Sequence, residues 1–301
     1  MSVSTTTRAT ANTLAGHAKG GERSPASVVF LILLWFSLFV AFFVLLILII
    51  TTAMDGLDRL DGRLFTDYTS ATPAKAGARA AVLGSIWVIA VTAILSIPLG
   101  IAAAIHLEEF ADNSRWYNRF VEVNIQNLAA VPAIIYGMLA LGLLSVLGVT
   151  NKNVVIGGAI ALGLLILPVI IIATRESLRA VPQEIRHGSL ALGATEWQTV
   201  QKQTLPNAVP GIATGTILAL SRALGEAAPL LLLGGLVYVT YDPNGLFSGF
   251  TTMPIQIFNW TGRPQLEFRE LAAAASIVLL GMLLIMNALA IFIRNKYQRR
   301  W

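Results

Sequence analysis

Long apolar runs separated by short polar stretches set the pattern of this chain. The runs lie at about 28–54, 80–105, 121–147, 154–173, 208–239 and 271–293. Each reaches the roughly 20 residues that cross a hydrocarbon core at 1.5 Å per residue. The pattern therefore predicts an all-α integral membrane protein with six transmembrane helices. The first run exceeds the apolar core of a signal peptide, about 7–15 residues. Residues 1–26, rich in Ser, Thr, Ala and Gly, read as a disordered tail. Residues 27–79 then hold the first span and an external polar loop, 80–293 a core, and 294–301 a basic tail.

The longest polar insert between spans is 175–206. Pro182 suits a first helical position, with Gln183 and Glu184 in the positive first turn. A short helix over about 182–192 follows. Gly193 supplies a left-handed stop, and Thr195 with Gln198 forms a capping box that restarts a second helix, which Pro206 ends. Gly188, Ser189, Ala191 and Gly193 leave the bend little side-chain bulk, so it reads either as a docking knob for another protein or as a surface loop.

Polar residues inside the spans mark other candidates. The third run contains Asn124, Gln126, Asn127, Pro132 and Tyr136. Pro132 frees the carbonyl of Leu128, and one face of this helix either lines a polar path or supplies interhelical hydrogen bonds. The fifth run carries Gly211 and Gly215, a GxxxG face for close packing, and then SRALGEAAPLLLLGG. Arg222 and Glu226 stand i, i+4 on one helical face. Each costs about 2.5–3.5 kcal/mol at the bilayer centre if unpaired. They act on a substrate or neutralise each other. Pro229 removes the hydrogen bond to Gly225, making that stretch a hinge. Between the last two spans, MPIQIFNW reads as a short helix lying on the membrane interface.

Composition sharpens the picture in three ways. Only 12% of residues are charged while 55% are hydrophobic, which excludes an ordinary soluble domain. The net charge of +5 does not imply nucleic acid, because the basic residues flank spans. Arg8, Lys19, Arg23, Arg115, Arg119, Arg175, Arg179, Arg186, Lys202, Arg294, Lys296, Arg299 and Arg300 share the side of the termini, whereas Arg59, Arg63, Lys75, Lys152, Arg263 and Arg269 fall opposite. The positive-inside rule thus places both termini and the 175–206 insert in the cytoplasm. With no cysteine there is no thiolate ligand, and His17, His106 and His187 lack metal-site spacing. No P-loop motif occurs, so energy from ATP requires a partner.

The stretch GSLALGATEWQTVQKQTLPNAVPGI resembles the EAA loop of ATP-binding-cassette (ABC) importer permeases. Gly193, Leu205 and Pro206 match that pattern. His187 stands at its Glu, Gly188 and Ser189 at its two alanines, and Gln203 at its Ile. LSRALGEAAPLLLLGG, PIQIFNWTGRPQLEF, MNALAIFIRNK and SIPLGIAAAIHLEEFA resemble the PstA-type permease subunits of phosphate importers, over about residue 80 to the end. The resemblance implies a type I ABC importer permease fold in a bacterial plasma membrane, with a cytoplasmic coupling helix. It also implies a PstC-type second permease, two PstB-type ATPases that bind ATP and Mg, and an external PstS-type phosphate-binding protein. This chain itself is expected to bind no cofactor or metal and to be no enzyme. ATPase coupling would fall on Glu184, His187, Gly188, Ser189, Leu192, Gly193 and Ala194, and the phosphate path on Arg222, Glu226, Asn124 and Asn127. Hinges and packing would fall on Gly225, Pro229, Pro132, Gly211 and Gly215. Importers for sulfate, molybdate, an amino acid or a peptide, and an ion-coupled secondary carrier, are the competing readings.

Overall fold

A computed structural model describes residues 25–112, 114–235 and 238–297. The expected tails up to residue 24 and from residue 298 lie outside the described residues. Two compact units divide the chain, residues 1–51 and 52–301. Helix α1, Pro25–Gly56, begins in the first. None of its residues from 25 to 51 is buried, and side chains from Phe30 to Ile50 present an apolar surface suited to lipid.

Among the described residues, four helices are long and apolar enough to cross a membrane: Pro25–Arg59, Arg79–Phe110, Val155–Arg179 and Leu266–Phe292. A fifth crossing arises only if Trp116–Ala129 and Ala133–Val146, bent by 114°, count as one broken span. The continuous third helix expected over 121–147 is thus two helices. Val131 precedes a proline and is pushed out of the helical region, and Pro132 cannot donate back to Leu128. The freed Leu128 carbonyl instead accepts from the Val131 N–H at 3.0 Å and from the Tyr136 hydroxyl.

The second unit opens with the short helix α2, Gly62–Thr66, whose Asp61 cap accepts from the Leu64 N–H at 3.2 Å. Helix α3, Arg79–Ile105, runs unbroken through Pro98 and Gly100 into a π-helical turn, His106–Phe110. Helices α4, Trp116–Ala129, and α5, Ala133–Val146, form the bent pair. Helix α6, Val155–Arg179, is the central rod, its apolar window 67% buried against 6% for that of the last helix. It continues about two turns beyond the expected end at 173, because Arg175 and Arg179 find carboxylate partners there.

Helix α7, Gln183–Ala191, and the short α8, Glu196–Thr199, form the polar insert. Pro182 is the cap residue of α7, not its first helical residue. Pro206 does not end the second helix. A π-helical turn, Val200–Thr204, leads without interruption into α9, Leu205–Leu224, with Pro206 at its second residue.

Helix α9 stops at Leu224 and α10, Ala228–Leu232, follows, so the expected span to 239 is broken at Gly225. Pro229 accounts for this, since its ring clashes with the carbonyl four residues earlier. A second break device is Gly234, with φ +89°. Its N–H donates to the Leu231 carbonyl and that of Gly235 to Leu230, the paired bonds of a Schellman end. Helix α11, Met253–Thr261, holds the MPIQIFNW stretch, but Met253, Ile255, Gln256 and Trp260 are buried, Met253 and Trp260 in a cluster with residues of α2, α3 and α12, Leu266–Tyr297, and Ile255 in the main core. The expected interfacial helix is therefore part of the core, because its apolar residues occupy more than one face.

The main core joins α3, α5, α6, α9 and α10. Small residues let these helices touch. A Cβ on Gly211 would stand 2.5 Å from the Ser177 hydroxyl, and one on Gly215 stands 2.3 Å from the Ala173 Cβ. Gly137 likewise admits the backbone of Pro229. Gly215→Val is expected to force α9 off α6 and destabilise the chain by about 1–3 kcal/mol, the usual range for overpacking. A drop in the melting temperature of detergent-solubilised protein measures it, and an unchanged value would refute the seam. At the start of α3, Arg79 Nη2 meets Asp242 Oδ2 at 2.6 Å. Its hydrogen bonds hold the Asp242 carboxyl below its ordinary pKa. That tie is therefore complete above the unfolded carboxylate pKa and is lost as pH falls through the depressed folded value.

Candidate functional site

Two regions carry chemistry: the polar insert with its support, and the break between α9 and α10. At the insert, Gly193 has φ +83°, its N–H donates to the Leu190 carbonyl, and the Ala194 N–H reaches Ser189. Glycine suits this left-handed Schellman end because it has no Cβ to clash. Two residues later the Thr195 hydroxyl accepts from the Gln198 N–H at 3.2 Å while Gln198 Oε1 accepts from the Thr195 N–H at 3.0 Å. Local sequence alone produces this bend.

Glu184, His187, Gly188, Leu192 and Gly193 are exposed, while Ser189 and Ala194 are half-buried. A Cβ on Gly188 or Gly193 would meet open space, so neither glycine is required by packing within the chain. Leu192 is 91% exposed and Trp197 58%. Ile185, Ser189, Leu192, Ala194 and Gln198 line a groove of about 380 Å³ on this surface. Apolar side chains beside bare backbone make a surface another protein can cover.

Beneath the insert lies an ionic cluster that sequence reasoning missed. Arg175, only 7% exposed, donates through Nε to Glu108 at 3.0 Å and through Nη2 to Glu122 at 3.0 Å. Arg179 Nε reaches the other oxygen of Glu108 at 2.7 Å. Arg186 Nη2 donates to Glu109 at 2.7 Å and to the Leu178 carbonyl at 2.8 Å. Phe110 and Trp197 meet beside it at a tilt of 33°, with ring centroids 6.0 Å apart. These arginines were counted only as orientation markers. The available signal was Arg175 and Arg179 at i, i+4 directly after an apolar run, with a Glu-Glu pair ending the second span.

At the break, Arg222 occupies the last turn of α9 and is exposed, while Glu226 falls in the linker and is half-buried. No ion pair joins them among the described residues. The expected shared face fails because the helix ends between them at Gly225. Arg222 instead lies within electrostatic reach of Tyr136 on α5. Beside it, Ser221 Oγ bonds Asn287 Oδ1 at 2.6 Å, fixing the end of α9 to α12. Gly225 has φ −86° and ordinary contacts, so its freedom is not strained here. Asn124 and Asn127 are exposed on α4, and Asn124 Nδ2 turns back to the Phe120 carbonyl at 2.7 Å. No hydrogen bond joins either to Arg222 among the described residues, and Glu122 ties α4 to the ionic cluster.

Known proteins resemble this chain in sequence and in fold. The chain is 32% identical over 250 residues to the probable ABC transporter permease protein YqgI of Bacillus subtilis, covering 79% of this chain and 84% of that protein. It is 30% identical over 284 residues to the phosphate transport system permease protein PstA of Yersinia pestis, covering 93% and 94%. Among solved structures, a bacterial alginate ABC transporter in complex with an alginate pentasaccharide-bound periplasmic protein gives a TM-score of 0.61 at 16% identity, over 89% of this chain and 96% of that one. The inward-facing MetNI methionine ABC transporter gives 0.58 at 18%, over 72% and 94%. At those identities the structures speak for the fold alone. Residues 96–301 match the family described as the binding-protein-dependent transport system inner membrane component, and the chain belongs to that family.

Proposed function

We propose that this chain is a permease subunit of an ATP-driven inorganic phosphate importer, forming half of the translocation path and receiving force at its 183–199 helices. The observation that carries the substrate is Arg222: a guanidinium exposed at a helix break, within electrostatic reach of a tyrosine and without a carboxylate partner among the described residues. Its planar donors suit phosphate oxygens at any working pH. The relatives named as phosphate transport permeases support the same substrate. A conduit has to bind weakly enough to release, so Arg222 makes a passing contact and affinity resides in an external binding protein.

In this reading the chain crosses the bacterial plasma membrane six times, with α4–α5 and α9–α10 each serving as one broken span and both termini in the cytoplasm. A PstC-type permease completes the path, PstB-type ATPases supply ATP hydrolysis with Mg, and a PstS-type protein delivers phosphate. The exposed groove beside Ser189, Leu192 and Ala194 receives an ATPase, whose closure shifts α6 and α9 between two states. Gly225 and Pro229 act as the hinge of α9–α10, and Pro132 as that of α4–α5.

Labelled phosphate uptake by the reconstituted complex tests this. Uptake that requires ATP and ignores excess sulfate is expected; flux without ATP would overturn coupling, and sulfate competition would overturn the substrate. Gly193→Val tests the bend. A β-branched residue at positive φ costs at least about 1–2 kcal/mol, so phosphate moved per ATP should fall roughly tenfold. Gly193→Asn, tolerant of that conformation, should retain coupling. Equal behaviour of the two variants would refute the bend's role.

A further inference from the structure

We infer that Glu109 and Arg186 form the joint by which α7 holds the end of α3, carrying motion of the insert into α3 and α4 as well as into its covalent neighbours α6 and α9. The inference rests on reading the insert as the force-receiving element.

Helix α7 has no fully buried residue, so few contacts fix it. Ile185 packs on the cluster of Leu178, Val181, Ala208 and Ile212, and the Ser189 and Thr199 hydroxyls bond at 2.9 Å. Among the described residues the other polar hold is Arg186, whose side chain is 16% exposed and whose partner Glu109 is 8% exposed. Water competes little with such a pair.

Adjacent carboxylates on the π-helical turn divide their partners. Glu108 takes Arg175 and Arg179 of α6, and Glu109 takes Arg186 of α7. The two holds also differ in kind. Arg175 uses two nitrogens on two carboxylates, binding the ends of α3, α4 and α6 into one block. Arg186 holds Glu109 through Nη2 alone, and its buried Nε has no acceptor. A hold through one nitrogen lacks the geometric restraint of a fork. The Arg186 link is accordingly the articulation, and the Arg175 cluster the block it moves.

The chain contains no cysteine, so spin labels can be placed without background. Labels at Leu192→Cys on the bend and Leu99→Cys on α3, both on exposed positions, report the separation in the full chain in lipid nanodiscs. A narrow distance distribution is expected, broadening at least twofold in Glu109→Gln and in Arg186→Gln. Because one nitrogen suffices, Arg186→Lys should restore the narrow distribution. In the reconstituted complex, phosphate moved per ATP should fall at least fivefold in the two Gln variants and recover to within twofold in Arg186→Lys. An unchanged distribution in the Gln variants, or one that Lys fails to restore, overturns the joint. A wild-type complex that shows no ATP-driven phosphate uptake overturns the functional reading instead, and the distance measurement still judges the joint.

Discussion

Replacing Arg222 by Gln is expected to lower phosphate uptake about 100-fold while the complex still assembles and hydrolyses ATP. The magnitude follows from the cost of an unpaired charge deep in a membrane, roughly 2.5–3.5 kcal/mol on insertion scales, since each 1.4 kcal/mol is a factor of ten. An oxyanion passing the α9–α10 break meets that cost, and the guanidinium offsets it. Folding should be little affected, because Arg222 is exposed and makes no ion pair among the described residues. Arg222→Lys keeps the charge but loses the planar fork, and uptake should fall between the two. Glu226→Gln separates this account from mutual neutralisation. Were the pair simply helix glue, removing either charge would harm the protein alike; with the helix broken between them, Glu226→Gln should retain most uptake. Normal transport by Arg222→Gln, measured with labelled phosphate in proteoliposomes, would remove Arg222 from the path.

What the sequence made legible was what local chemistry decides. Gly193, Thr195 and Gln198 lie within six positions of one another, so the bend and its capping box could be read directly. Gly211 and Gly215 were visible as a close-packing face for the same reason. Pro132 and Pro229 were seen, but their consequences were undersized. A proline inside an apolar run either kinks a helix or breaks it, according to whether neighbours satisfy the freed groups. Here Tyr136 captures the Leu128 carbonyl and Gly137 makes room for the Pro229 backbone, so both runs break. Neither fact is local to the proline's own turn. The break at Gly225 in turn separated Arg222 from Glu226. The burial of α11 was hidden likewise, since a short apolar stretch reads the same whether lipid or protein covers it.

The ionic cluster was the largest omission, and its partners explain why. Arg175 and Glu108 stand 67 positions apart, and Arg186 and Glu109 stand 77 apart. Near the membrane, counting each arginine for orientation gave it a sufficient role without a partner. The carboxylates then appeared only as part of a polar elbow. Charge counted by side of the membrane is a statement about topology, whereas charge buried beside an opposite charge is a statement about packing.

Arg175→Met is expected to be among the most damaging single changes in the chain, destabilising it by about 3–5 kcal/mol, the usual cost of removing one member of a buried ion pair. The reason is what it leaves behind. Glu108 is 12% exposed and would retain only Arg179, itself 43% exposed, while Glu122 would retain the same arginine at 3.6 Å. Arg179→Met provides the contrast, because a half-exposed arginine in a network shares its task with solvent and contributes about 1 kcal/mol or less. The measurement is thermal stability and recovered yield of the full chain in one detergent, with the two variants side by side. Arg175→Lys should not rescue, since a single ammonium lacks the two-armed reach to Glu108 and Glu122 together. Adding Glu108→Gln and Glu122→Gln to Arg175→Met should recover much of the loss, because the stranded charges, not the missing attraction, carry most of the cost. Failure of that triple change to improve on Arg175→Met would show that the arginine's packing holds the block together. Equal stability of Arg175→Met and Arg179→Met would show that the cluster does not act as one.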